Sequence, residues 1–278
     1  MFTLIGVELF KIFRKWRTYI GFAAVTVLVL LIQTAIYFAK DTYVSSMTRG
    51  LDQAFMFTGN LLNGYLIAHL ILGILVVHVP FLVTLVAGDL LAGEATAGTY
   101  RILLTRPVSR LKVLTAKYLA GVIYANLLVL WLAALSLGFG FILFGTGELI
   151  VMKSYIIVFA QNDIIWRFAI AYAFAGLSMT MVATLAFFFS SLVENSIGPI
   201  ISTMAIIIVF VIITSIKISI FESISPWLFT SYMNAWSLPF DDPIEVDKAV
   251  KSAVILLAHI IGLFGITAFI FKRKDILS

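Results

Sequence analysis

The chain contains no cysteine, which removes disulfide frameworks, thiolate-bound zinc, iron–sulfur clusters and thiol nucleophiles from consideration. It is also poor in charge: 12% of its 278 residues are Asp, Glu, Lys or Arg, about half the usual share for a soluble domain. Proline occurs six times and histidine three times. There is no Walker A sequence, no HExxH and no GxSxG, so the chain has no phosphate-cradling loop and none of the common hydrolase signatures. An ordinary soluble enzyme, a disordered segment and a nucleic-acid-binding domain are all excluded by this composition.

What is present is apolar surface. Hydrophobic residues make up 62% of the chain, with 24 Phe, and the sparse charges leave long uncharged windows. A membrane span needs about 20 mainly apolar residues. Six windows meet this, giving expected spans at about 18–39, 61–87, 118–145, 168–190, 196–216 and 252–271. A seventh uncharged stretch, 223–240, carries Pro226, Pro239, Asn234 and four serines beside Trp227 and Trp236. Proline and serine at that density break a spanning helix, and tryptophan favours the headgroup level. It is expected to form one or two short interfacial helices within an extracellular excursion at 221–250.

With six spans, the connections facing one side, together with both termini, hold twelve basic residues against five acidic ones. The other side holds seven against nine. The excess of Lys and Arg marks the first side as cytoplasmic. The expected location is therefore the cell membrane, multi-pass, with both termini inside. The first 17 residues are not expected to be a cleaved signal: charge extends to Arg17, and the following apolar run lacks a small-x-small cleavage site. Phe2, Ile5, Leu9, Ile12, Phe13 and Trp16 recur at helical spacing, while Glu8, Lys11, Arg14 and Lys15 fill the other side. This predicts an amphipathic helix over 1–17 lying in the cytoplasmic interface; the alternative is a continuous extension of the first span. The fold class expected is thus all-α and polytopic, a single transmembrane domain over 1–278.

Titratable groups inside the spans are few. His69, His78 and His259 fall within them, but His69 and His78 lie nine positions apart, on opposite sides of a helix, and cannot share a metal. Buried imidazoles bonded to neighbouring helices are the preferred reading. Gln33 and Asn126 suit interhelical hydrogen bonds or substrate contact equally. Carboxylates are absent from the span interiors, which weakens an ion-coupled carrier and favours a lipid, peptide or amphiphilic substrate over a small ion. Small residues gather on the fourth span, at Ala171, Ala175, Gly176, Thr180 and Thr184, where another helix can approach closely.

The most specific stretch follows the second span: Gly93-Glu94-Ala95-Thr96-Ala97-Gly98-Thr99-Tyr100-Arg101, then Ile102-Leu103-Leu104-Thr105-Arg106-Pro107-Val108-Ser109-Arg110. It reads as a short helix, a break at Pro107 and a second helix capped by Ser109 that runs through Lys117 into the third span. A basic loop held by lipid phosphates is the plainer reading.

The pattern G-E-x-x-x-G-T-x-R-x-L-L-x-R-P-V-S-R, followed after five residues by Ala116-Lys117, resembles the signature of the type 2 ATP-binding cassette export permeases. The resemblance implies a permease subunit that dimerises with itself or a related chain and docks a separate cytoplasmic ATPase, which binds the ATP and magnesium. This chain would hold no cofactor and have no catalysis of its own. Segment 89–112 would be the coupling element. Glu94, Gly98, Thr99 and Arg101 would belong to its helix, and Arg106, Pro107, Ser109 and Arg110 to the docking face and the turn into the third span. The alternatives are an ATP-independent six-span carrier or channel, and a membrane anchor that recruits a partner through the same loop.

Overall fold

The computed structural model describes residues 1–49, 60–98, 108–153 and 155–273. Its elements follow the chain as α1 (Phe2–Arg14), α2 (Trp16–Phe38), α3 (Lys40–Thr48), α4 (Gly64–Ala87), α5 (Asp89–Thr96), α6 (Arg110–Phe144), β1 (Leu149–Met152), β2 (Ile156–Phe159), α7 (Gln161–Leu192), α8 (Ile197–Ser215), α9 (Ser219–Ile224), two 3-10 segments (Ser225–Trp227 and Phe229–Phe240) and α10 (Val246–Arg273). Among the described residues, six helices are long and apolar enough to cross a membrane: α2, α4 continued by α5, α6, α7, α8 and α10. The protein is a helical, multi-pass membrane protein.

The helices overrun the apolar windows of the sequence. The 35 residues of α6 reach about 50 Å at 1.5 Å per residue, well beyond a hydrocarbon core of about 30 Å. Its charged first turns remain helical because Ser109 caps them, its hydroxyl accepting from the Lys112 N–H. α4 starts at Gly64 because Asn63 accepts from the N–H groups of Tyr65 and Leu66. The Asn63 side chain also donates to the Glu148 carbonyl at 2.7 Å. Asn60 and Asn63 tie that helix start to the Phe144 carbonyl at the end of α6 and to the Glu148 carbonyl just before β1.

α4 and α7 form the middle of the bundle, with α2 and α1 packed on α6, and α10 and the long 3-10 segment packed on α7. Lipid tails are as apolar as leucine, so close approach and polar contacts must hold these helices together. At the α4–α6 crossing, a Cβ added to Gly64 would lie 2.7 Å from the Gly140 backbone. Asn126 of α6 donates to the Thr180 hydroxyl of α7, Tyr118 bonds Thr184, Ser136 bonds Tyr172, and Gln33 of α2 donates to the Ser136 carbonyl. Each such bond contributes about 0.6 kcal/mol. The ladder Gly176–Thr180–Thr184 therefore meets a helix of its own chain, and Asn126 and Gln33 serve interhelical bonding.

Two features differ from the expected all-α architecture. Residues 149–152 and 156–159 form a two-stranded antiparallel hairpin with Leu149 opposite Phe159. Its alternation buries Leu149, Val151, Ile157 and Phe159 and exposes Ile156 and Val158. The excursion before α10 is not confined to an interface either. Phe229, Met233, Trp236 and Phe240, spaced by four, three and four, are buried. Trp236 and Phe240 enclose His69, with ring centroids 5.5 and 4.6 Å away. Aromatic side chains in that spacing seal the end of the bundle.

Candidate functional site

Between α1, the start of α2, the α4–α5 junction and the start of α6 lies a cleft of about 610 Å³. Its construction begins at the turn from α1 into α2. Lys15 alone is extended (φ −85°, ψ 133°), and its N–H, together with the buried Thr18 hydroxyl, donates to the Ile12 carbonyl. The first helix therefore ends at Arg14 and folds back onto α6, and is not an extension of the first span. Its packing also divides the expected apolar face. Ile12 is buried, whereas Phe2 and Trp16 are 91% and 80% exposed.

α5 continues α4 across a single residue, Gly88, and the helical ladder is interrupted there. Ser190 of α7 fills the gap. Its hydroxyl accepts from the N–H groups of Leu91 and Ala92 at 3.1 and 2.9 Å and donates to the Gly88 carbonyl at 2.6 Å. Beyond α5, Gly98 takes φ +65°, a conformation that glycine adopts without strain, and its N–H donates to the Ala95 carbonyl. Gly93 leaves room for Asp89: a Cβ there would sit 2.5 Å from an Asp89 carboxylate oxygen, so that carboxylate would have to shift. Thr96 ties the end of α5 to the turn between α7 and α8 by donating to the Glu194 carbonyl at 2.7 Å.

Apart from Arg14, the charges of the cleft form two groups. In the first, the Lys117 ammonium of α6 donates to Glu8 of α1 and to Glu94 of α5, both at 2.7 Å. Lys11 of α1 donates to the same two carboxylates, each at 3.0 Å. Glu8, Lys11, Glu94 and Lys117 thus close a ring of two acids and two bases. Lys117 is 1% exposed and Glu8 6%. Burial pushes the Lys11 ammonium down, but hydrogen bonds and charges from Glu8 and Glu94 outweigh it and hold Lys11 above its ordinary value. In the second group, the buried Asp89 accepts from Lys15 at 2.7 Å and Arg17 at 3.1 Å.

Of the residues singled out in the sequence, Glu94, Gly98, Ser109 and Arg110 are described, and Thr99, Arg101, Arg106 and Pro107 lie outside the described residues. Glu94 enters the ring, Gly98 ends α5, and Ser109 caps α6 at Arg110. The participation of Glu8, Lys11 and Ser190 was missed. Helical periodicity puts Glu8 on the charged side of an amphipathic helix, yet it is one of only five acidic residues on a side carrying twelve basic ones. That scarcity was the available signal.

A second cavity, of about 560 Å³, lies between α4, α6 and α7, lined mostly by apolar side chains with Tyr65, Asn126 and Tyr172 among them. The histidines are dispersed. His78 and His259 bond carbonyls one turn back on their own helices, rather than neighbouring helices, and His69 packs within the aromatic cluster. No group of three or more metal-ligating side chains occurs among the described residues.

The chain is 28% identical over 205 residues to the "Uncharacterized protein YhcI" of Bacillus subtilis (strain 168). That similarity covers 69% of this chain and 63% of the relative's own length. The family described as "Protein of unknown function (DUF2705)" matches residues 25–277, a range that takes in Asp89, Glu94, Lys117 and Ser190 and begins after Glu8 and Lys11. The chain belongs to this family.

Proposed function

We propose that the chain is the membrane-spanning permease subunit of an ATP-driven exporter. It works as a dimer and docks a separate cytoplasmic ATPase through segment 89–112, with both termini on the cytoplasmic side. The observation that carries this reading is the ring of Glu8, Lys11, Glu94 and Lys117. A helix placed immediately after the second span is joined through buried charges to the N-terminal helix and to the third span. A push on α5 has four routes into the bundle: to α4 across Gly88, to α6 through Lys117, to α1 through Lys11, and to α7 through Ser190. The ring is neutral as a whole, so α5 can transmit force without an uncompensated charge at the membrane boundary.

Export of an amphiphilic substrate suits the second cavity, where Tyr65, Asn126 and Tyr172 offer polar groups on an otherwise apolar wall. ATP and magnesium belong to the partner ATPase, and the chemistry of hydrolysis with them.

The test combines co-purification of an ATPase with transport by Glu94→Ala, Arg101→Ala and Lys112→Ala. Truncating one member of a desolvated charge pair costs about 2–5 kcal/mol, so the first two should abolish or uncouple transport while membrane insertion persists. Lys112→Ala should transport normally. Equal transport by all three, with no ATPase retained, leaves an ATP-independent carrier as the reading.

A further inference from the structure

We infer that the cleft beneath α1 is a binding site for the phosphate headgroup of an anionic phospholipid, with its acyl chains lying along the exposed apolar side of α1. The first argument is charge. Lys11, Arg14, Lys15, Arg17 and Lys117 line the cleft, against Glu8, Asp89 and Glu94. The four-membered ring satisfies its own charges, and Asp89 serves Lys15 and Arg17 together. One positive charge of that pair is therefore uncompensated. Arg14 adds another, having no acidic partner among the described residues. Lys15 and Arg17 keep about half of their side-chain surface accessible, at 51% each, so a phosphate can reach them without dismantling the ion pairs.

The second argument is the nature of the walls. Leu4, Val7, Phe10 and Leu85 line the same cleft, and Val7 and Phe10 are 47% and 67% exposed. A free phosphate or nucleotide has no use for that apolar lip, whereas a lipid satisfies both parts of the site at once. The third is position. The cleft lies at the ends of three spanning helices, beside the exposed Trp16, and both tryptophan and arginine favour the headgroup level. A volume of about 610 Å³ falls within the range of small-molecule sites. The proposal does not depend on an ATPase partner.

The test uses the full chain purified in a non-ionic detergent and titrated with phosphatidylglycerol or with phosphatidylcholine bearing the same acyl chains. Retained lipid is counted by native mass spectrometry. Phosphatidylglycerol should be held at one molecule per chain and phosphatidylcholine lost. Arg14→Gln should weaken phosphatidylglycerol about fivefold, the usual contribution of one basic side chain near anionic lipid, and Lys40→Gln at the other end should change nothing. Val7→Asn, which leaves every charge in place, should also weaken retention. Equal retention of the two lipids, or unchanged retention in Arg14→Gln, overturns the site. Displacement of the lipid by millimolar inorganic phosphate, or unchanged retention in Val7→Asn, overturns its assignment to a phospholipid.

Discussion

The Lys117 ammonium lies 2.7 Å from the Glu8 carboxylate, joining the third spanning helix to the N-terminal helix across 109 positions of sequence. Both side chains are buried, so neither can exchange its partner for bulk water. The pair is arranged to fix geometry more than to add stability, since the desolvation of two buried charges offsets most of their attraction. Glu94 and Lys11 complete the arrangement, and α1, α5 and α6 must move together or break it.

Removing Lys117 should therefore cost far more than removing the exposed Lys112, five residues earlier on the same helix. Lys117→Met removes the buried cation that Glu8 and Glu94 share. A loss of about 3–5 kcal/mol is expected, read as a lowered unfolding temperature in detergent, while Lys112→Ala should stay within about 0.5 kcal/mol. The double variant Glu8→Gln with Lys117→Met should cost less than the sum of the two single changes. Simple additivity would mean that the two residues do not act as a pair.

Ser190→Ala leaves the N–H groups of Leu91 and Ala92 without their acceptor. A buried donor left unsatisfied costs about 1–3 kcal/mol, and the effect should be local. Amide exchange should accelerate at residues 91 and 92 and leave the Asn63-capped start of α4 unchanged. Uniform acceleration along α4 would place the role of Ser190 elsewhere.

The membrane architecture was legible because it depends on charge spacing along the chain. Six uncharged windows became six long helices, and the helix cap at Ser109 followed from one residue type in one position. The site was legible only in part. The Gly93–Glu94 and Lys117 positions stood out as a pattern, but the reason for Gly93 is the Asp89 carboxylate beside it. The role of Glu8 is not legible, because helical periodicity cannot distinguish a solvated charged side from a buried ring of compensating charge. Ser190 gave no signal at all: a serine near the end of an apolar helix is commonplace, and its value lies in a break in another helix a hundred residues earlier. The hairpin at 149–159 escaped because apolar runs of four residues carry no decisive period.

Glycine at 93 should be harder to replace than glycine at 6. A methyl group at position 93 would meet an Asp89 oxygen at 2.5 Å, whereas one at position 6 finds nothing within 4 Å. Gly93→Ala must displace Asp89 from Lys15 and Arg17, and Gly6→Ala should be neutral or stabilise by up to about 1 kcal/mol through helix propensity. Unfolding temperatures of the two variants compare them directly. If Gly93→Ala is as stable as Gly6→Ala, Asp89 has room to move and its ion pairs do not hold α5. Gly98→Ala is a separate case. Its backbone lies at φ +65° and a side chain there should cost about 1–2 kcal/mol whatever the surrounding space.

The Lys11 ammonium gives the ring a pH limit. Its folded value is raised above the ordinary 10.5, so its contribution is complete below pH 10.5 and is lost as the pH rises through the raised value. Nothing should change between pH 7 and 10. A fluorophore on Phe2→Cys, at a position 91% exposed, should report loosening of α1 only above that point. Lys11→Arg should move the transition to higher pH, because the guanidinium keeps its charge. A transition near neutral pH would mean that another group controls the helix.

Topology can be read directly because the chain has no cysteine to remove. Ser46 on α3 and Lys112 on α6 are both exposed and lie at opposite ends of the bundle. Lys112 is a better reporter than Ser109, whose hydroxyl caps α6 and would be lost on substitution. With twelve basic residues on the Lys112 side and seven on the other, the charge bias predicts that Lys112 faces inside. Ser46→Cys should react with an impermeant thiol reagent in intact cells, and Lys112→Cys should react only after the cells are opened. Labelling of Lys112→Cys from outside would invert the topology. It would also place the ring of Glu8, Lys11, Glu94 and Lys117 beyond the reach of any cytoplasmic ATPase, and the exporter reading would fall with it.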